Sequence, residues 1–395
     1  MKTIFRIRDA RRLRRKLNEA IKGTPDGSSA EAMRNAVMPW RRRFAEQMFE
    51  KKPRLRSHED RYLSQLIFGK AVNEEDIDPV LIPCVTREDF DVYDYFRMWS
   101  SFPTLDRPGR RLKFLLRDAG HPGAPLMGLC CLSSAVRQVQ AREHWIGWSE
   151  PQWLRVRAHG LAFIMDLSTC VTVPPYSYLT AGKLLAAMMA SDEIRDIYRA
   201  RYRRQRSVFR RRIIKDFVLM TTTAGYGRNA PLYKGLSYNG SRLFEFIGYT
   251  SGYSSFQILP KLYEEVKIFT AARRGTGNRV LCGANARFRI LRFAARELGI
   301  PEEKLIFSGH KRAVFVAPLA ENWREYLLGS AATPRYYHYS ISDIVQRWKT
   351  QWLSKRMSDS IVRDRVNYFV PESLRMTRLL DGPRREGNGA QNGDF

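Results

Sequence analysis

Short apolar runs, separated by Gly, Pro and polar residues, occupy the chain between residues 110 and 250. Each contains a strand-like stretch of about 5 to 9 residues with β-branched or aromatic side chains, which is typical of buried strands. The runs read LKFLLRD (112–118), LMGLCCLSSAV (126–136), LAFIMDLSTCVTV (161–173), FVLMTTTAG (217–225) and RLFEFIGYT (242–250). Together they predict a mixed β-sheet.

Helical periodicity appears before, between and after these runs. In the segment 177–212, Ser191 is the predicted N-cap of a helix with Arg residues on one face. The other face is predicted to carry Ile194, Ile197, Tyr198 and Tyr202. Two basic helices are predicted within residues 1–60, and a strand (RAVFVAPL, 312–319) and a basic helix (IVQRWKTQWLSKRM, 344–357) follow near the C-terminus.

These elements predict an α/β protein with a mixed-sheet core between a basic helical region and a basic α/β extension. We expect a helical N-terminal region (1–60), a mixed-sheet core (61–256) and a basic C-terminal α/β extension (257–380). The polar, Gly-rich and Asn-rich residues 381–395 are expected to be a disordered tail.

The net charge of the chain indicates what kind of partner it binds. The chain has 395 residues with 68 Lys and Arg against 40 Asp and Glu, a formal charge of +28, yet 44% of its residues are hydrophobic, which excludes a disordered polyelectrolyte. Such an excess of positive charge implies a polyanionic partner, with nucleic acid first. A membrane partner is not expected, because no run of about 18 apolar residues exists.

The positive charge is densest between Arg199 and Lys215, where eight Arg and one Lys occur without an acidic residue. Arg makes bidentate contacts with phosphate, and interleaved aromatic rings stack on exposed bases. The predicted nucleic-acid contacts are Arg203, Arg204, Arg206, Arg210, Arg211 and Arg212.

Cysteines and carboxylates are the side chains that could ligate a metal. Five Cys residues form no C-x-x-C pair, so no metal site is predicted, and their odd number without a secretion signal is typical of a reducing cytoplasm. The acidic segment 70–94 contains Asp89 and Asp91, the carboxylates that a metal-dependent nuclease would use. A solvated acidic surface is the alternative interpretation.

The segment REHWIGW (142–148) joins two predicted strands and concentrates unusual side chains. Trp145 and Trp148 are interpreted either as a packing corner at the end of the sheet or as a site for a flat ligand. We expect them to anchor the sheet, and we expect Arg142 to project toward the cleft between this segment and PPYSYLT (174–180). His144 is a candidate proton carrier, because His titrates near neutral pH.

The order of the segments resembles the DruA family, named for the DruA protein of Druantia anti-phage systems. The resemblance covers residues 110–255 and is most specific at WIGW (145–148). The matching positions of the family motif are Arg142, Trp145, Ile146, Gly147 and Trp148, followed by Gly248, Thr250 and Gly252. The resemblance implies a role in anti-phage defence or a related mobile-element process, with other defence-system proteins as partners.

Two positions depart from the family pattern. Glu143 stands where the family has Asp, and MDLST (165–169) replaces an Asn-Asn-x-Arg-Phe element on the following strand. If those polar residues hold a ligand in relatives, this chain binds it differently or lacks it.

The element order also resembles the core of a GNAT acyltransferase. In that fold a strand leads into a helix N-terminus that holds the pyrophosphate of acyl-CoA. The resemblance implies acyl-CoA as cofactor, Tyr178, Thr180, Gly182 and Lys183 as its binding residues, and Tyr233 as general acid. The usual Gly-x-Gly turn is absent, because Pro175, Tyr176 and Ser177 stand there.

Three functional hypotheses follow. The first is a nucleic-acid-binding component without chemistry of its own. The second is an acyltransferase that modifies a nucleic acid or a bound protein. The third is a metal-dependent nuclease. Whether the protein is an enzyme stays open at this point.

Overall fold

The structure of the protein is a computed structural model. It describes residues 7–22, 30–102, 109–135, 138–148, 156, 159–206, 212–238, 240–253, 255, 258, 260–274, 286–307, 309–376 and 380.

A mixed sheet with strand order β1-β2-β3-β4-β5-β9-β8 forms the centre of the structure. The strands are β1 (Pro79–Pro83), β2 (Arg111–Asp118), β3 (Leu126–Ser134), β4 (Ile164–Thr172), β5 (Leu219–Ala224), β8 (Glu245–Tyr249) and β9 (Ala313–Pro318), with a separate hairpin of β6 (Ser237–Tyr238) and β7 (Ser241–Arg242). Neighbouring strands are antiparallel except β4 and β5, which are parallel. The predicted mixed α/β fold is confirmed.

The parallel pair β4–β5 is short. Only Ile164, Met165 and Asp166 pair with the facing residues Leu219–Thr221. After this point β5 continues to pair with β9 through Ala224, while β4 pairs with β3 through Thr172. The two strands therefore share only their first residues.

Helices flank both faces of the sheet. They are α1 (Ile7–Lys22), α2 (Ala30–Lys51), α3 (Arg54–Ser57), α4 (Glu59–Leu63), α5 (Arg87–Arg97), α6 (Gln140–Ile146), α7 (Ala181–Met188), α8 (Asp192–Tyr202), α9 (Pro260–Arg274), α10 (Ala286–Leu298), α11 (Glu302–Ile306), α12 (Trp323–Leu328), α13 (Ile341–Trp348), α14 (Ser354–Ser358) and α15 (Ser360–Asn367). A π-helical turn, Lys349–Leu353, connects α13 to α14. Short 3-10 turns occur at Gly69–Ala71, Leu161–Phe163 and Pro371–Leu374.

Two large hydrophobic clusters lie on the two faces of the sheet. One joins α7, α8 and α13 to residues of β2, β3, β4 and β9, and the other joins α2, α4 and α5 to residues of β2 and β3. β3 contributes to both, since Cys130 belongs to the first cluster and Cys131 to the second. This division follows from the alternation of side chains along a strand.

The helices α9, α10 and α11 lie between β8 and β9 in sequence and share a hydrophobic cluster with α1. Leu13 and Leu17 of α1 are buried in that cluster, and the Lys16 ammonium donates to the Glu265 carboxylate at 2.7 Å. The sheet continues across the boundary that we predict between residues 256 and 257, because β9 lies between β5 and β8. α1 packs with the helices of the predicted C-terminal extension.

Several local predictions match the structure, and others differ. Ser191 is the N-cap of α8, and its hydroxyl accepts from the Ile194 N–H at 3.4 Å. The segment 177–212 contains two helices, α7, which ends at Met188, and α8, which ends at Tyr202 within the Arg run. The segment REHWIGW contains the end of α6, whose last residue is Ile146. Gly147 is the C-cap, with a φ of 99° that favours glycine.

Candidate nucleic-acid interface

The C-terminal end of α8 is fixed to the start of β2 by two tyrosines. The Tyr202 hydroxyl accepts from the Arg111 N–H at 2.7 Å and donates to the Arg111 carbonyl oxygen at 3.0 Å. One turn earlier, the Tyr198 hydroxyl is hydrogen-bonded by the Arg110 guanidinium, which also lies over the Tyr198 ring at 5.6 Å. The apolar face of α8 thus places the helix end and its arginines beside Arg110 and Arg111.

Four arginines at this helix end are exposed: Arg201, Arg203, Arg204 and Arg206. Within the described part of the chain, no carboxylate lies at ion-pairing distance from any of them. Arg199 differs, because it pairs with Asp216 at 2.9 Å. The end of α8 therefore presents positive charge that the neighbouring described residues do not neutralise.

The remaining members of the predicted arginine set are only partly described. Arg212 is half-buried, and its guanidinium contacts the His159 ring. Arg210 and Arg211 lie outside the described residues. Arg203, Arg204 and Arg206 thus lie together at the helix end, and their predicted contact with nucleic acid stays a prediction.

The two tryptophans of the family motif have different surroundings. Trp148 is 1% exposed and packs with Ile164, Leu219 and other buried residues at one end of the sheet. Trp145 is half-buried and stacks on Trp323, with ring centroids 4.2 Å apart and an angle of 3° between the rings. The Arg324 guanidinium lies over Trp323 at 4.9 Å and donates to the Trp145 carbonyl oxygen at 3.1 Å. Trp148 therefore packs inside the protein at the end of the sheet. The Trp145 ring is only half-buried and packs on Trp323.

Arg142 does not project into a cleft. Its side chain is fully buried, with Nη1 4.0 Å from Asp166 Oδ1 and Nη2 3.8 Å from Glu143 Oε1. The Thr221 hydroxyl donates to the same Asp166 carboxylate. A buried guanidinium needs a compensating anion, and Asp166 and Glu143 both lie where the sequence departs from the family pattern. His144, on the same helix, is exposed.

The residues predicted to bind a cofactor lie around the start of α7. The preceding turn is fixed by the Tyr176 hydroxyl, which donates to Asp118 at 2.7 Å, and Asp118 also contacts His121 Nδ1 at 2.8 Å. Thr180, with a φ of 59°, is the N-cap, although its side chain makes no cap hydrogen bond. Sequence reasoning missed the buried Asp118–His121–Tyr176 network, because its three members come from two separate segments.

The space next to these residues is filled by the chain itself. A Cβ on Gly182 would lie 2.7 Å from Leu232 Cδ1, and the Lys183 ammonium donates to the Lys234 carbonyl oxygen. The Tyr178 ring lies under the Arg365 guanidinium at 4.7 Å. Close approach of a pyrophosphate to the backbone at Gly182 requires Leu232 to move, and acyl-CoA binding here stays a prediction.

Tyr233 lies in the core of the protein. Its hydroxyl is 3.1 Å from Thr222 Oγ1, and its ring packs against Phe244 and Phe315 at centroid distances of 5.0 and 5.1 Å. Burial raises the pKa of the Tyr233 hydroxyl well above its ordinary value. A general acid must reach its substrate, and the described residues bury Tyr233, so its predicted role stays a prediction.

The two carboxylates of the nuclease hypothesis have structural partners. Asp89 and Thr86 form a capping box at the start of α5, and Asp91 accepts two hydrogen bonds from Arg54, at 2.5 and 2.6 Å. The described residues contain no group of three or more His, Cys, Asp or Glu side chains that could hold a metal ion. Cys84, Cys130, Cys131 and Cys170 form no disulfide bond in the described part of the chain, and Cys282 lies outside the described residues. None of the described helices is long and apolar enough to cross a bilayer.

Comparison with known proteins agrees with the motif. Residues 31–329 match the family described as Druantia protein DruA. The Druantia protein DruA of Escherichia coli (strain UMEA 4076-1) is 30% identical over 241 residues, which are 58% of this chain and 56% of that relative. The chain thus matches little more than half the length of this curated relative, and no solved structure matches it. Because the family match covers most of the chain, including the WIGW motif, this protein belongs to the DruA family.

Proposed function

We propose that this protein is a nucleic-acid-binding component of a Druantia anti-phage system. The observation that carries the proposal is the cluster of exposed arginines at the end of α8, for which the described residues supply no carboxylate partner. The family supplies the biological context, since the curated relative is a Druantia protein. Other proteins of the system are the expected partners.

The chemistry of the cluster fits a phosphate backbone. Arg carries a permanent charge and a planar set of five donors that matches phosphate oxygens. Unpaired like charges repel one another in the free protein, and binding to a polyanion removes that repulsion and releases counterions. Tyr198 and Tyr202 support binding by holding α8 against β2, which keeps the charges at one place on the surface.

The test compares two triple variants. In the first, Arg203, Arg204 and Arg206 are changed to Gln; in the matched control, the exposed Arg8, Arg11 and Arg12 of α1 are changed to Gln. Binding of single-stranded and double-stranded oligonucleotides is measured by fluorescence anisotropy at several salt concentrations. The first variant should weaken binding to every sequence, and the logarithmic salt slope should fall by about 0.7 to 0.9 for each phosphate that is no longer neutralised.

The control decides where the interface lies. Equal losses of affinity in both variants would mean that total charge and not the α8 cluster drives binding. Unchanged affinity in the first variant with weaker binding in the control would move the interface to α1. In cells that carry a complete defence system, the first variant should lower protection against phage while the protein level stays the same.

The acyltransferase and nuclease hypotheses are not favoured by a specific contact in the described structure. The acyltransferase hypothesis predicts saturable acyl-CoA binding that disappears on changing Tyr178 or Gly182. The nuclease hypothesis predicts strand cleavage that needs a divalent ion and is abolished by changing Asp89 or Asp91.

A further inference from the structure

A small groove lies between α7, α13, the π-helical turn and the β6–β7 hairpin. Among its lining residues are Lys183, Leu236, Tyr238, Arg347, Trp348 and Trp352. It combines two cationic side chains, two indole rings and an apolar floor. α13 and the π-helical turn follow residue 329, where the family match ends, so this groove joins the matched core to a segment outside the match.

The two cations keep donors available. The Lys183 ammonium has three N–H donors and gives one to the Lys234 carbonyl oxygen. The Arg347 guanidinium has five, of which Nη2 donates to the Ser237 hydroxyl at 3.3 Å and Nε to the Gln351 side chain at 3.2 Å. Both side chains are partly exposed, so a ligand can reach their remaining donors.

Charged groups of both signs surround the groove: Lys183, Arg347 and Arg356 are positive, and the carboxylates of Asp343 and Glu193 act on Tyr238. Burial, and then the nearby charge of Arg356, lower the pKa of the Lys183 ammonium. The carboxylate of Asp343 hydrogen-bonds with the Tyr238 hydroxyl at the hairpin side and, after burial, raises the pKa of that hydroxyl. A bound anion would relieve the repulsion between Lys183 and Arg356.

Trp348 adds a donor in the same wall. Its side chain is 1% exposed, and its indole N–H is shielded from water without an acceptor among the described residues. An unmade hydrogen bond at a buried donor is costly to a folded protein. An acceptor oxygen brought within hydrogen-bond distance of this N–H would remove that cost.

The π-helical turn positions the second indole. π-turns inside helices are rare and occur often at functional sites. In this one Trp352 is half-buried, with its ring 5.7 Å from the Lys183 ammonium. A partly exposed aromatic ring beside cations is the arrangement that binds the base and the phosphate of a nucleotide together.

We infer that this groove binds a nucleotide, with the phosphate held by Lys183 and Arg347, an acceptor oxygen reached by the Trp348 N–H, and the base against Trp352. The inference rests on the proposed function only for the source of the nucleotide, which we assign to a single-stranded nucleic acid. The nucleotide site is inferred from the side chains that line the groove and does not depend on that function.

Isothermal titration of the full chain with AMP tests the site, with adenosine as the ligand that lacks the phosphate. We expect saturable AMP binding and at least about tenfold weaker binding of adenosine. Lys183→Gln and Arg347→Gln should each weaken AMP binding about tenfold, and Trp352→Leu by a similar factor. Trp348→Phe keeps a buried ring but removes the N–H, so it should weaken binding several-fold without lowering the melting temperature.

The matched control is Arg8→Gln, which removes one exposed charge on α1 and should leave AMP binding unchanged. No saturation by AMP, equal binding of adenosine, or AMP affinity unaltered in both Lys183→Gln and Arg347→Gln would overturn the inference. These results are independent of the arginine cluster, because the Arg203, Arg204 and Arg206 variant tests oligonucleotide binding at another place.

Competition identifies the source. A short 5′-phosphorylated single-stranded oligonucleotide should displace AMP at a lower concentration than coenzyme A does. Stronger competition by coenzyme A would overturn the assignment to a nucleic-acid strand and support a free nucleotide cofactor in the same groove.

Discussion

The Tyr202 hydroxyl forms two hydrogen bonds with the backbone of one residue, Arg111, accepting from its N–H and donating to its carbonyl oxygen. One side chain thus joins the end of α8 to the first residue of β2. Because the exposed arginines follow directly on this helix end, the position of the predicted interface depends on this contact.

Removing this hydroxyl tests the contact. Tyr202→Phe leaves two backbone groups of Arg111 without their side-chain partner, so the free energy of unfolding should fall by about 1–3 kcal/mol. Urea denaturation measures the change. Tyr249→Phe is the matched control, because Tyr249 is 45% exposed, and its effect should be below about 0.5 kcal/mol. A destabilisation of the same size in both variants would contradict the structural role of Tyr202.

The two motif tryptophans should differ in their contribution to stability. Trp148→Ala leaves a large cavity in a buried cluster and should cost about 3–5 kcal/mol. Trp145→Ala removes a half-buried ring whose main partner is Trp323, so about 1–2 kcal/mol is expected. Chemical denaturation of both variants checks the order. If both variants melt like the wild type but no longer bind nucleic acid, the motif is a binding site and not a packing corner.

The buried Arg142 and Asp166 should behave as a coupled pair. Arg142→Met or Asp166→Asn alone leaves a buried charge with less compensation, and each should cost about 3–5 kcal/mol. The double variant should cost less than the sum of the two, with a coupling of about 0.5–3 kcal/mol measured by a double-mutant cycle. Strict additivity would show that the 4.0 Å approach of these groups is not an energetic interaction.

The partly buried His310 should lower the free energy of unfolding in mild acid. Burial, and then the charge of Arg312, lower the pKa of His310 from 6.5 to about 4. Between these two values the unfolded chain binds the proton and the folded chain does not, so stability is full above about pH 6.5 and decreases as the pH falls toward 4. His310→Gln should flatten this part of the stability curve, measured by urea denaturation at a series of pH values. Gln346→Ala, at an exposed position without a titratable side chain, is the control and should leave the curve unchanged.

Local sequence patterns predicted much of the fold, because the start of a helix and the burial of a strand depend on the side chains of a few neighbouring residues. A strand needs side chains that suit two buried faces, and LMGLCCLSS became β3 with nearly every residue buried. A helix start needs an acceptor for its first free N–H groups, and Ser191 supplies it. The WIGW motif and its neighbours identified the family. The arginine run predicted the candidate interface, because charge density is visible in the sequence.

Only the tertiary structure decided which distant residues meet. Arg142 looked like a cleft residue, but the close approach of β4 brought Asp166 to it and allowed a guanidinium to be buried. The strand β9 entered the sheet between β5 and β8 across a long helical insertion that no local pattern encodes. The groove around Lys183 needs Arg347, Trp348 and Trp352 from more than 150 positions later in the chain. The sequence by itself therefore determined many of the elements, the family and the excess of charge, whose causes are local. Burial, ion pairing and the groove depended on packing between segments that are far apart in the chain.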